Sequence, residues 1–133
     1  MNWHLFDLAP TAWLLLVFVV VASLPLAWLM RAVRGQSKPA KMAALAALLV
    51  TLVFELTLFG AFTRLTDSGL GCPDWPGCYG LASPLQAHAQ ISAAQALDPV
   101  GPVSHHKAWI EMVHRFFAGS IGFLLIVQLV LAL

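Results

Sequence analysis

Between Pro10 and Met30 no residue carries a charge, and from Phe116 to Leu133 the chain is again uncharged to its last residue. Inside hydrocarbon a backbone must satisfy its own hydrogen bonds, so an apolar run of about 20 residues there is a helix. With 60% hydrophobic and only 10% charged residues, this chain has too little polar surface to bury such helices in a water-soluble core. An all-α integral membrane protein is expected. Three transmembrane helices are predicted. The first runs from Pro10 to Met30, with Trp13 and Trp28 near its ends, where indoles favour the interface, and Pro25 inside it. The second, Met42 to about Thr63, holds one charge, Glu55. The third starts in the polar segment near Ser104 and ends without a cap or flanking charge, which reads as the front piece of a longer protein.

Residues 1–10 contain no Lys or Arg, and no small-residue cleavage site precedes the basic cluster, so the first run reads as a retained helix and not as a secretory signal. Arg31, Arg34, Lys38 and Lys41 crowd the link between the first two spans, and basic links stay cytoplasmic. The topology is then N-terminus out, basic link in, long loop out. A net charge of +1 points to no nucleic acid; topology and membrane lipid account for the basic link. Two parts are expected: residues 1–41, an extra helix and its basic link, and residues 42–133, which contain the outer loop 64–103.

That loop holds both cysteines, Cys72 and Cys78, with two prolines and a glycine between them. On the oxidising side of a membrane such a pair is by default a disulfide, either a structural staple or a redox-active pair. Two thiols with only His88 downstream make a poor zinc set. Asp67, Ser68, Gly69 and Gly71 read as tight turns, while Pro73 and Pro76 stiffen the ring that carries Trp75. The loop is expected to be a compact lid, with one short surface helix from Pro84 to Leu97. His88, His105 and His106 read as solvated loop residues without a role.

The string "WIEMVHRFFAGSIGFLL", from Trp109 to Leu125, places Glu111 and His114 three apart on one helix face. Ionisable groups at that depth point inward and mark function by default. Ala118 and Gly122 follow His114 at four-residue steps, so the wall below the imidazole lacks bulk. Axial ligation of haem iron by His114 and ordinary small-residue helix packing stand about equal on these residues alone. Arg115 could meet a propionate or a lipid phosphate. Glu55, about 12 Å below the outer end by helical rise, has three readings: facing the haem pocket, pairing with Arg115, or resting as a protonated carboxyl packed in the bundle, the last preferred because burial disfavours the charged form.

Taken together, "TRLTDSGLGCPDWPGCYG" and "WIEMVHRFFA" resemble the haem A synthase family over roughly Gly60 to Gly122. The resemblance implies two similar four-helix halves, each binding a haem between a pair of inward histidines, of which this chain would be the front part of the first half. It implies His114 as an axial iron ligand at the site of the substrate, haem O. Glu111 would be the motif glutamate and candidate catalytic group, Arg115 a cofactor-binding residue, and Cys72 and Cys78 the outer-loop pair. The helix before Arg34 would be additional to the family core, which begins near Met42. A haem b is implied in a second half that these residues lack, so they alone are not expected to turn over.

The implied chemistry is oxidation of a haem O methyl to formyl by two successive hydroxylations and loss of water, in a bacterial cytoplasmic (inner) membrane. The implied partners are a haem O supplier and the terminal oxidase assembly machinery, with a homo-oligomer left open. A non-enzymatic assembly factor, a b-type haem electron carrier and a thiol–disulfide oxidoreductase are the competing classes.

Overall fold

A computed structural model describes residues 8–133, with side chains described at Leu16 and from Phe18 onward. Four helices form: α1 (Leu8–Ala32), α2 (Lys38–Leu65), α3 (His88–Leu97) and α4 (His105–Ala132), and among the described residues there is no strand beyond one isolated bridge, Cys78 to Leu81. Pro39 sits in the first turn of α2, where its missing N–H has no intrahelical partner to lose. Ser104 caps α4 by accepting the Lys107 N–H.

α2 and α4, 28 residues each, are long and apolar enough to cross a membrane. At 1.5 Å per residue each reaches about 42 Å, beyond the roughly 30 Å of hydrocarbon. Both leave large apolar side chains exposed along their length, among them Val50, Phe54, Leu58, Ile126 and Leu129. That suits lipid and not water. Two of the three expected spans thus meet the requirement. Of the first, Pro10 and Trp13 lie outside the described side chains, and Phe18–Ala32 forms a shorter apolar stretch within α1, which continues through Pro25.

α4 is the central helix. It packs along both α1 and α2, which touch each other little. The shared core is Ala22 and Leu29 from α1, Leu45 and Leu49 from α2, and Ile121 and Leu124 from α4. At the outer end a second core joins Cys72, Cys78, Ala87, Ile91 and Ala108, so the loop between α2 and α4 folds down onto the start of α4. The compact lid expected from its turn residues is present. Its helix is shorter than the expected Pro84 to Leu97: Pro84 is buried, the Ser83 carbonyl accepts from Gln86 and Ala87, and regular helix starts only at His88.

His105 departs from its expected place as a solvated loop residue. It opens α4, its Nε2 lies 2.8 Å from the Ser92 hydroxyl, and its ring stacks against His88 with centroids 4.3 Å apart. The spacing of α3 explains this, because His88 and Ser92 are four apart and share a helix face.

Candidate functional site

α2 ends where Thr66 and Ser68 turn the chain back: their backbone N–H groups donate to Phe62 and Thr63, and Asp67 takes the left-handed conformation (φ 52°) that a short polar side chain tolerates. Gly71 then meets α4 directly. A Cβ there would stand 2.5 Å from the Ala108 backbone nitrogen, so only glycine allows the approach. The next residue opens a ring closed by the Cys72–Cys78 disulfide. Within the ring, Asp74 accepts from the N–H groups of Tyr79, at 2.6 Å, and Gly80, holding the turn that follows Cys78. Trp75 points outward and is 79% exposed.

Glu111 and Arg115 hold this ring on α4. Glu111 is only 6% exposed. Its Oε2 accepts the Cys72 N–H at 2.8 Å and its Oε1 takes the Arg115 guanidinium. Arg115 also donates to the carbonyls of Asp74 (2.6 Å), Gly77 (2.7 Å) and Cys72 (3.5 Å). A buried ion pair is tolerated when further hydrogen bonds complete it, and here they come from the ring backbone. Arg115 thus reaches loop carbonyls, and it also lines the cleft beside His114.

His114, on the same turn, reaches towards α2. Its ring is tilted against Phe59 at 5.8 Å, and a Cβ added at Gly60 would lie 3.0 Å from its Nε2. Among the described residues its ring nitrogens form no hydrogen bond. Gly60, Thr63, Arg64, Leu70 and the Glu111–His114–Arg115 turn line a cleft of about 380 Å³. Directly below, Leu52, Leu56, Phe59, Val113, Phe117 and Ile121 line an apolar groove of about 430 Å³, with Phe117 edge-on to Phe59 at 6.5 Å. On α4 the groove is lined by Val113, Phe117 and Ile121 and not by Ala118 or Gly122, the small residues that the four-residue spacing from His114 singles out; a Cβ at Gly122 would meet nothing within 4 Å.

Glu55 corrects an expectation. It is exposed on this chain and lines the apolar groove, instead of packing inside the bundle, and it does not reach Arg115. The reason is the rotation of α2, whose inward positions are Leu45 and Leu49.

The donors fit a haem better than a bare metal ion. Among the described residues no group of three or more His, Cys, Asp or Glu converges, whereas a porphyrin brings its own equatorial nitrogens and needs an axial imidazole beside an apolar wall. Gly60 and Asp74 went unnoticed as site residues in the sequence. Their only signals are one small residue in a bulky span and one acid among turn formers.

The family model described as cytochrome oxidase assembly protein (COX15-CtaA) matches residues 43–133. Over 80 residues the chain is 54% identical to a haem A synthase of Shewanella oneidensis, a stretch covering 58% of this chain and 24% of that protein. The haem A synthase of Allorhizobium ampelinum is 34% identical over 94 residues, covering 62% and 26% respectively. That of Caulobacter vibrioides is 28% identical over 97 residues, covering 65% and 28%. The chain therefore spans about a quarter of the length of these relatives. No solved structure matches it significantly.

Proposed function

This chain belongs to the cytochrome oxidase assembly protein family COX15-CtaA, and from that premise we propose that it forms part of a haem A synthase-like membrane oxidoreductase acting on haem O. The observation that carries the reading is the His114 imidazole, which lies beside the side-chain-free Gly60 and lines an open cleft above an apolar groove. His114 would hold the substrate through its imidazole nitrogen. Phe59 and Phe117 offer it apolar ring contacts, and the disulfide ring packs above against the start of α4. When bound, the haem supplies the oxidising chemistry that side chains lack, and the methyl-to-formyl change belongs to it.

Glu111, which lines the cleft beside His114, is the group we assign to take up a proton during the conversion; in this structure its two oxygens are engaged by the Cys72 N–H and Arg115. Arg115 acts by fixing that carboxylate and the ring. In this reading α1 is a third crossing, the link at 31–41 lies on the cytoplasmic side of a bacterial inner membrane, and the ring lies outside. A haem O supplier and the oxidase assembly machinery are the partners that such a reaction requires.

The test is pigment extraction from membranes that express the complete encoded protein and contain haem O. Formyl-bearing haem is expected, and His114→Ala should abolish haem capture. Glu111→Gln should leave haem bound and slow the conversion. Bound haem without formyl product would make the protein a b-type carrier, and absence of haem would make it an assembly factor; either result overturns the reading.

A further inference from the structure

At the end of the bundle opposite His114, the C-terminal turns of α1 and α4 and the first turns of α2 enclose a cleft of about 270 Å³ lined by Met30, Lys38, Lys41, Met42, Leu45 and Leu131. Lys38 and Lys41 are three apart, so both ammonium groups belong to one face of α2 and to this one cavity. Arg31 stands in the last turn of α1 and Arg34 on the link that follows. No acidic residue occurs between Asp7 and Glu55, and among the described residues neither lysine has a salt bridge or a side-chain hydrogen bond. The first turn of α2 adds further positive character: Ser37 makes no side-chain cap bond, leaving backbone N–H groups there without a side-chain acceptor.

Two unpaired cations above a wall of Met30, Met42, Leu45 and Leu131 match a molecule that is anionic at one end and apolar at the other. We infer that this cleft is a binding site for an anionic phospholipid, with the phosphate between Lys38 and Lys41 and the first acyl segment against Met30 and Leu131. A free phosphate would use the lysines and leave the apolar wall bare. A zwitterionic lipid would bring a cation of its own beside two lysines. Neither matches the whole cavity. This inference is independent of the haem reading, because it concerns the other end of α2.

The experiment is native mass spectrometry of the complete protein released from detergent with equimolar phosphatidylglycerol and phosphatidylcholine. One phosphatidylglycerol is expected to be retained in preference. The double variant K38Q/K41Q should lower that retention by about tenfold or more, given the worth of each basic residue near an anionic surface. Met30→Trp, which fills the apolar side without changing charge, should lower it comparably. R31Q/R34Q should have the smaller effect. Equal loss from the two double variants would mean diffuse charge and no site. Retention unchanged by Met30→Trp, or displacement of the lipid by inorganic phosphate alone, would overturn the lipid assignment. Circular dichroism of each variant separates loss of binding from loss of fold.

Discussion

Nε2 of His114 lies against the bare backbone of Gly60: an added Cβ there would stand 3.0 Å from it. That is closer than carbon and nitrogen ordinarily approach, so the imidazole on α4 and the backbone of α2 have one arrangement that suits both. Gly60→Ala separates fold from site. Alanine in place of a helix-interior glycine favours the helix by about 1 kcal/mol, so the melting temperature should hold or rise. The ring, however, must give by a few tenths of an ångström, and haem retention should fall several-fold. Retention equal to that of the parent protein would show that α2 does not confine the imidazole.

How the loop is fastened rests on Asp74 as well as on the disulfide. Its carboxylate takes two backbone N–H groups that the turn after Cys78 leaves over, Tyr79 and Gly80. Asp74→Ala orphans both, and removing a partner from such groups costs about 1 to 3 kcal/mol. The loss should be local: protease cleavage within residues 66–87 should accelerate, while the helices keep their circular dichroism. A global melt shifted with no change in cleavage would contradict this.

Much of the outer end can be read from residues alone, and the reasons are physical. Long uncharged runs can only be helices in lipid, Ser104 marks the start of α4, and two cysteines across a proline-stiffened turn form a disulfide. What spacing cannot supply is rotation. Glu55 and Leu49 lie on the same helix less than two turns apart, yet one is exposed and the other buried. A uniformly apolar helix carries no stripe that says which side meets its neighbour. The partners of Arg115 are illegible for a different reason, because they are main-chain carbonyls, which every residue has. His105 escaped because pairing with Ser92 and His88 depends on how α3 lies across the start of α4.

Glu55, exposed on the groove side and without a hydrogen bond among the described residues, should not matter to the stability of this bundle. Surface substitutions away from buried networks fall within about 0.5 kcal/mol of neutral. Within lipid, removing a carboxyl also removes a solvation cost. Glu55→Leu should therefore leave the thermal midpoint in detergent unchanged or raised. A marked fall would reveal that the carboxyl has a partner that holds the bundle together.

Arg115 and the disulfide should be energetically coupled, since the three carbonyls that receive the guanidinium belong to residues Cys72, Asp74 and Gly77, all within the span that the disulfide closes. Replacing both cysteines by serine loosens a short loop, worth about 2 kcal/mol in the chain-entropy model. Arg115→Leu leaves Glu111 buried without its cation and should cost about 3 to 5 kcal/mol. Arg115→Lys should restore only part of this, because one ammonium cannot serve the carboxylate and the carbonyls as a planar fork does. If an intact ring is what presents those carbonyls, the triple variant should lose less than the sum of the separate losses, by about 1 kcal/mol or more. Additive losses in denaturant titrations of the four proteins would show instead that the ring keeps its shape without the sulfur bond, leaving Arg115 and Asp74 as its main fastenings.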